Sequence, residues 1–261
     1  MRRRLAEMYR DFKHLALKIP RIEVRASDCF LVSFPRSGNT WMRYMLFGAL
    51  HPDRQWDLPQ IEDQMPIIDR PDLKNLLGAM EQMPARMFKS HEQVSPHCLK
   101  GKVAYIIRDG RDALLSYHKY RQQMNKLKIP FHDFLRRSLE GRYRYGSWAD
   151  HVRGWLGHEA DPHMLMIRYE QMVADPAAEL SRTLAHFGFD VDRPLIEAAA
   201  KRSSVERVNA GFAKVAAQQQ RNFSGGSGGG SGKWRSAYSP ADLALFQRHG
   251  GDMLKQMGYD E

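Results

Sequence analysis

The chain has 261 residues, 43% of them hydrophobic, enough for one large α/β domain or two small ones and too apolar for a disordered chain. No apolar run reaches the ~18 residues of a membrane span, and Glu7, Arg10, Asp11 and Lys13 break up the start where a secretory leader would need an unbroken apolar stretch, so a cytoplasmic protein is expected. The formal net charge of +10 favours polyanionic partners, whether nucleic acid, a membrane surface or a multiply phosphorylated small molecule.

Leu5, Met8, Phe12, Leu15 and Ile19 recur at helical spacing, which predicts an amphipathic helix and connector over residues 1–25. Cys29–Phe34 is a short apolar run stopped by Pro35 and reads as a buried parallel strand. Ser37, Gly38, Asn39 and Thr40 are turn residues. Trp41–Leu50 is apolar on nearly every face, which suits a buried helix. Arg86–His91, Val103–Ile107 and Met164–Tyr169 read as three further strands. Helical runs at Ala113–Arg121, 131–140, 147–157 and 177–187 flank them. Strands alternating with helices predict a single α/β domain over residues 1–261, a P-loop-like parallel sheet with helices on both faces. Residues 224–232 have the composition of a flexible Gly/Ser linker. An engineered replacement for a loop and a natural Gly-rich loop both fit. Lys233–Glu261 is too short for a second domain and is expected to form a terminal helix. Cys29 and Cys98 read as reduced, buried thiols. No Cys/His cluster has metal-ligand spacing.

The first strand, the turn and the buried helix together describe an anion site. Amides at a helix start lack intrahelical partners, and the helix dipole is positive there. Gly38 allows close backbone approach. Ser37, Asn39 and Thr40 supply side-chain donors, and Arg36 supplies fixed charge. The ordinary P-loop pattern G-x-x-x-x-G-K-[ST] is absent, which disfavours a magnesium-bound β/γ-phosphate. The plain alternative is a strand-to-helix turn with no ligand. The segment Pro35-Arg36-Ser37-Gly38-Asn39-Thr40-Trp41 resembles the P-K-S-G-T-T-W loop with which cytosolic-type sulfotransferases hold the 5′-phosphosulfate of 3′-phosphoadenosine 5′-phosphosulfate (PAPS). Arg36 and Asn39 depart from the commonest form. Arginine keeps the charge but does not easily give up a proton. The resemblance implies that Trp41 helps hold the adenine, and core packing is its alternative role.

Arg108 directly follows the Val103–Ile107 strand, and Ser116 lies two turns into the next helix. Both fall at the carboxyl edge of the sheet, where open α/β folds bind ligands. Arg108–Ser116 is similar to the family's 3′-phosphate motif R-x-x-x-D-x-x-x-S, which implies that Arg108 and Ser116 bind that phosphate. Arg111 is not carried over, because Asp109, Asp112 and solvent are equally good partners for it.

Sulfuryl transfer needs a base for the acceptor proton and cations for the leaving phosphate. Histidine suits the first task. Of 11 histidines, His91 stands at the end of a predicted strand, between the two motifs. Lys89-Ser90-His91 resembles the family's K-x-H segment, which implies that His91 is the base and Lys89 assists near the leaving group, with Arg36 as the loop cation. Tyr169-Glu170-Gln171-Met172, with Asp175-Pro176 and Glu179, resembles the family's Y-E-D-M stretch and places Tyr169 near the adenine. Ser203-Ser204-Val205 sits where the family has a further adenine contact, which brings in Ser204. The family's basic pair before G-x-W is missing here. Arg221, Lys233 and Arg235 are the candidates to replace it.

The expectation is a metal-free, PAPS-dependent sulfotransferase acting on a hydroxyl or amine of a small molecule, glycan or peptide, with adenosine 3′,5′-bisphosphate (PAP) as product. A small-molecule or nucleotide kinase and a basic nucleic-acid binder are the rival classes. A kinase needs a loop lysine and magnesium-binding carboxylates, and a nucleic-acid binder a recognised module. Neither set is evident. The acceptor pocket is assigned to loops at 52–84 and 118–150, and the oligomeric state stays open.

Overall fold

Four short apolar runs form the strands β1 (Cys29–Ser33), β2 (Met87–Ser90), β3 (Lys102–Ile107) and β4 (Met164–Arg168) of this computed structural model. The structure describes residues 22–68, 73–81, 83, 85–94, 98–125, 127–204, 207–211, 213 and 230–259. Most of the helix expected at 1–25, and residues 224–229 of the Gly/Ser segment, lie outside these. The strands make one parallel sheet in the order β2-β1-β3-β4. Parallel neighbours need crossover connections, and helices supply them.

Side chains on a strand alternate between faces, and here both faces are buried. Phe30, Val32, Phe88, Val103, Tyr105 and Ile107 enter one core, while Cys29, Leu31, Ala104, Ile106 and Ile167 enter the other. Helix α1 (Asn39–Leu50) follows β1. Helices α2 (Leu58–Gln64) and α3 (Leu73–Met80) precede β2. Between β3 and β4 come α4 (Gly110–Asn125), α5 (Phe131–Leu139) and α6 (Trp148–Leu156). The chain continues through α7 (Tyr169–Ala174), α8 (Pro176–Phe187) and α9 (Arg193–Arg202) to α10 (Pro240–Gln256). Helices α1, α8 and α9 cover one face, and α4, α5, α6 and α10 the other. Cys29 and Cys98 are buried free thiols. No described helix is long and apolar enough to cross a membrane.

Two expectations need correction. Residues 52–84 are not a loop, because α2 and α3 occupy much of them, and within 118–150 the end of α4 joins the expected α5 and α6. The signal was in the caps. Asp57 and Gln60 form a capping box with Pro59 in the first turn of α2, and Ser147 accepts a bond from the Asp150 amide to cap α6. Tyr169 does not close a strand but opens α7.

The amino edge of the sheet is tied by a buried ion pair. Asp28 is 0% exposed and Arg86 2%. Arg86 Nε and Nη2 donate to the two Asp28 oxygens at 2.9 and 2.6 Å, and Nη1 reaches Glu81 at 2.7 Å. Removing the arginine strands the fully buried Asp28 carboxylate, whose described salt bridge is to Arg86, and costs about 3–5 kcal/mol. Arg86→Ala is therefore expected to lower the urea unfolding free energy by about that amount, and a loss below about 1 kcal/mol would contradict the assignment.

Candidate active site

At the carboxyl end of β1 the backbone turns sharply before α1. Arg36 has φ 70° and Gly38 φ 105°. Positive φ is unusual for a side chain such as Arg36 and natural for Gly38. Tyr169 closes over that glycine, since a Cβ there would lie 2.7 Å from its ring. Gly38 caps α1 without any side-chain bond, and no acidic residue stands in the first turn. The positive end of a twelve-residue helix is thus left open to the loop. Ser37 Oγ and Asn39 Oδ1 are buried with no hydrogen-bond partner among the described residues. Asn39 is also tied to the sheet: its Nδ2 donates one of its two hydrogens to the Leu31 carbonyl at 3.0 Å.

The second motif meets the first. Arg108 Nη1 donates to the Arg36 carbonyl at 2.9 Å. Arg36 Nε donates in return to Ser116 Oγ at 3.2 Å. Both Arg108 and Ser116 are buried. Arg108 lies 4.2 Å from the centre of the Tyr169 ring, its Nη2 donates to the Gly230 carbonyl at 2.9 Å, and its Nε has no partner among the described residues. Arg36 lies 4.9 Å from the Tyr120 ring centre, and burial lowers its pKa to about 10.

Trp41 and Tyr169 pack edge to face with centroids 6.1 Å apart. Trp41 Nε1 donates to the Ser203 carbonyl at 2.6 Å, and Ser204 Oγ next to it accepts from the Arg207 amide at 3.4 Å. The three segments expected around one purine, Trp41, Tyr169 and Ser203–Ser204, are therefore neighbours.

His91 follows β2, beside β1. Its Nδ1 lies 2.8 Å from the Ser33 carbonyl. A carbonyl only accepts, so Nδ1 carries the proton and Nε2 keeps a free lone pair in the neutral ring. Burial first, then the Lys89 charge, hold His91 well below its usual pKa, against the opposing Ser33 bond. Lys89 is 9% exposed. Burial, with the Arg43 charge second, lowers its pKa to about 7. No described carboxylate makes a salt bridge to it. Tyr145 stands 5.6 Å from the His91 ring, centroid to centroid.

Several residues that hold this site escaped the sequence reading. His151 Nε2 donates to the His91 carbonyl at 3.1 Å, and its Nδ1 accepts from Tyr105 Oη at 2.8 Å. One turn on, Trp155 Nε1 donates to the Glu92 carbonyl at 3.2 Å. The consecutive carbonyls of His91 and Glu92 are thus clamped from α6. Burial drops His151 to about 4, so it stays neutral. Asp112, the acid of the second motif, accepts from the Gly232 and Trp234 amides at 2.6 and 3.0 Å and anchors the return from the Gly/Ser segment. Arg111 is structural: it pairs with Asp109 at 2.7 Å and lies 3.7 Å from the Trp234 ring centre. Of the candidates for the missing basic pair, Arg221 lies outside the described residues and Arg235 packs on Trp234. Lys233 is near enough to Arg108 and Lys119 for their charges to add to burial in lowering its pKa. No group of three or more metal-type ligands occurs among the described residues.

Residues 26–258 match the Sulfotransferase domain family. Human Sulfotransferase 4A1 is 28% identical over 191 residues, 69% of this chain and 66% of that protein. Human Sulfotransferase 2B1 is 32% identical over 184 residues, 66% of this chain and 48% of that protein. The match thus spans less than two thirds of these relatives' own length. Retinol dehydratase in complex with androsterone and PAP superposes with a TM-score of 0.73 at 18% identity, over 92% of this chain and 83% of that one. Mouse sulfotransferase SULT7A1 complexed with PAP gives 0.67 at 24% identity, over 90% of both chains. These structures share the fold, and the family match covers nearly the whole chain from before β1 to beyond α10. The chain belongs to the sulfotransferase-domain family.

Proposed function

We propose that this chain transfers a sulfuryl group from PAPS to a hydroxyl or amine by in-line displacement, with His91 as general base. The observation that carries the reading is the meeting of Arg36, Arg108 and the uncapped start of α1 at one sheet edge, with His91 one strand away. The residues present suit a bisphosphorylated donor. Ser37 Oγ and Arg108 Nε are buried donors with no partner among the described residues, and the cations around them are concentrated at one site. The PAP complexes of two fold relatives support the same ligand class.

The donor, when bound, supplies the sulfuryl group and a phosphate leaving group. The chain's residues do the rest. The α1 amides, Ser37, Thr40 and Arg36 bind the 5′ end. Arg108 and Ser116 bind the 3′-phosphate, with Lys233 beside them. Trp41, Tyr169 and Ser204 flank the base. His91 Nε2 takes the acceptor proton, and Lys89 stabilises the charge that grows on the leaving oxygen. Arg36 stabilises the same charge as a permanent cation. Tyr145 at His91 and Tyr120 at Arg36 line the acceptor side with aromatic surface, which favours an aromatic or apolar acceptor.

The main cations are buried rather than spread along an exposed stripe: Lys89 and Arg108 are 9% and 5% exposed. That favours a small anion over nucleic acid. The loop lacks the lysine a kinase uses, and Asn39, in that place, is a neutral side chain tied to the Leu31 carbonyl.

Two measurements test the mechanism. His91→Ala is expected to keep PAP affinity and lose roughly 10²- to 10⁴-fold in turnover, read by PAP release against a panel of phenols, sterols, sugars and peptides. Near-normal turnover would remove His91 from the mechanism. The pH dependence of kcat/KM is expected to be bell-shaped. Its acid limb lies below pH 6.5, because His91 must be neutral and its pKa is depressed. Its alkaline limb lies near pH 7, where Lys89 loses its charge. Lys89→Arg is expected to move only the alkaline limb upward, and an unmoved limb would take Lys89 out of that role.

A further inference from the structure

Arg43 belongs to neither motif, yet it is 1% exposed and sits one helical turn beyond Thr40 in α1. A guanidinium in a protein interior needs partners. Its Nη2 lies 3.8 Å from Glu62 Oε1, and the Glu62 side chain is 40% exposed. Nε and Nη1 have no hydrogen-bond partner among the described residues. Its one described hydrogen bond runs from Nη2 to Thr40 Oγ1, at 3.3 Å. Replacing a poorly compensated buried charge by an apolar side chain is often neutral or stabilising. Stability therefore gives no reason for an arginine here.

Its contact gives one. A threonine hydroxyl has one hydrogen to donate and two lone pairs to accept with, whereas arginine only donates. Arg43 therefore occupies a lone pair of Thr40, and the hydroxyl hydrogen turns away from the guanidinium. Thr40 stands in the first turn of α1, at the open helix start. The Arg43 charge also reaches Lys89 and His91, where it adds to burial in lowering both pKa values.

We propose that Arg43 is a positioning residue of the donor loop: it holds Thr40 so that the hydroxyl donates to the anionic 5′ end of the bound nucleotide. The proposal rests on the reading of that loop as the donor site. It predicts a loss of affinity without a loss of stability.

The test is calorimetric titration of the full chain with PAP, paired with thermal unfolding, for wild type, Arg43→Met, Thr40→Val and the double variant. Arg43→Met is expected to weaken PAP about tenfold, the scale of one hydrogen bond to a charged group, with an unchanged or higher Tm. In the Thr40→Val background the same substitution is expected to cost less than about threefold, because coupled residues are non-additive. Arg43→Gln, which keeps a neutral N–H donor, is expected to stay within about threefold of wild type. Unchanged affinity in Arg43→Met, an equal loss in both backgrounds, or a loss that tracks a fallen Tm would each overturn the proposal. Should Arg43→Met not fold, a tenfold loss in Arg43→Gln would overturn it instead. A wild-type chain that takes up no PAP removes the donor-site reading and this proposal with it. Binding by wild type and Arg43→Met alike removes this proposal alone.

Discussion

The site depends on a pair of crossed hydrogen bonds between the loop after β1 and the β3–α4 segment, far apart in sequence. Arg108 holds the carbonyl of Arg36, and Arg36 holds the hydroxyl of Ser116 in α4. Each segment thereby fixes the other's arginine. Two guanidiniums this close repel one another, and Arg108 adds to the burial that lowers the Arg36 pKa. The neutral oxygens between them orient the charges without cancelling them. Such preorganised charge is what stabilises a developing anion without reorganisation at the moment of reaction.

The loop geometry that permits this carries strain. Arg36 adopts a positive φ, a conformation that costs of order 1–3 kcal/mol for an ordinary side chain. The cost is local, and the buried sheet beneath holds the loop in place. Every β1 residue is buried, Asn39 ties the start of α1 to the Leu31 carbonyl, and Tyr169 packs against Gly38. His91 is fixed in a similar way from the neighbouring strand. The Ser33 carbonyl sets its tautomer, and the α6 clamp of His151 and Trp155 fixes its backbone. His91 and the loop are thus referred to the same two strands, β1 and β2.

The strands were legible because each is a short apolar run, and parallel strands covered on both faces need little else. The strand-turn-helix segments around Arg36 and Arg108 were legible because each is local, with strand, turn and helix start close together in the chain. The missed helices had weaker signals. Helix α9 buries only Ile196, Ala199 and Ala200, and α2 announces itself through its Asp57 cap more than through an apolar stripe. The supporting residues were illegible for a different reason. His151 is one histidine of 11 until the fold brings the His91 carbonyl to it from 60 positions away. Asp112 meets its amides across 120 positions. Arg43 lies hidden in a helix that reads as apolar. Asn39 shows a contact the sequence does not announce, its side chain also tying the helix start to the Leu31 carbonyl.

The central claim is that two cationic cradles grip opposite ends of one nucleotide, and comparing ligands that differ by one phosphate tests it most directly. Calorimetric titration without magnesium, using PAP and adenosine 5′-monophosphate on wild type and Arg108→Gln, separates the two ends. The account predicts that wild type prefers PAP by tenfold or more, the scale of a charge-assisted contact, and that Arg108→Gln loses this preference while still binding the monophosphate. Equal affinity of wild type for the two ligands, or a preference that survives in Arg108→Gln, would contradict it.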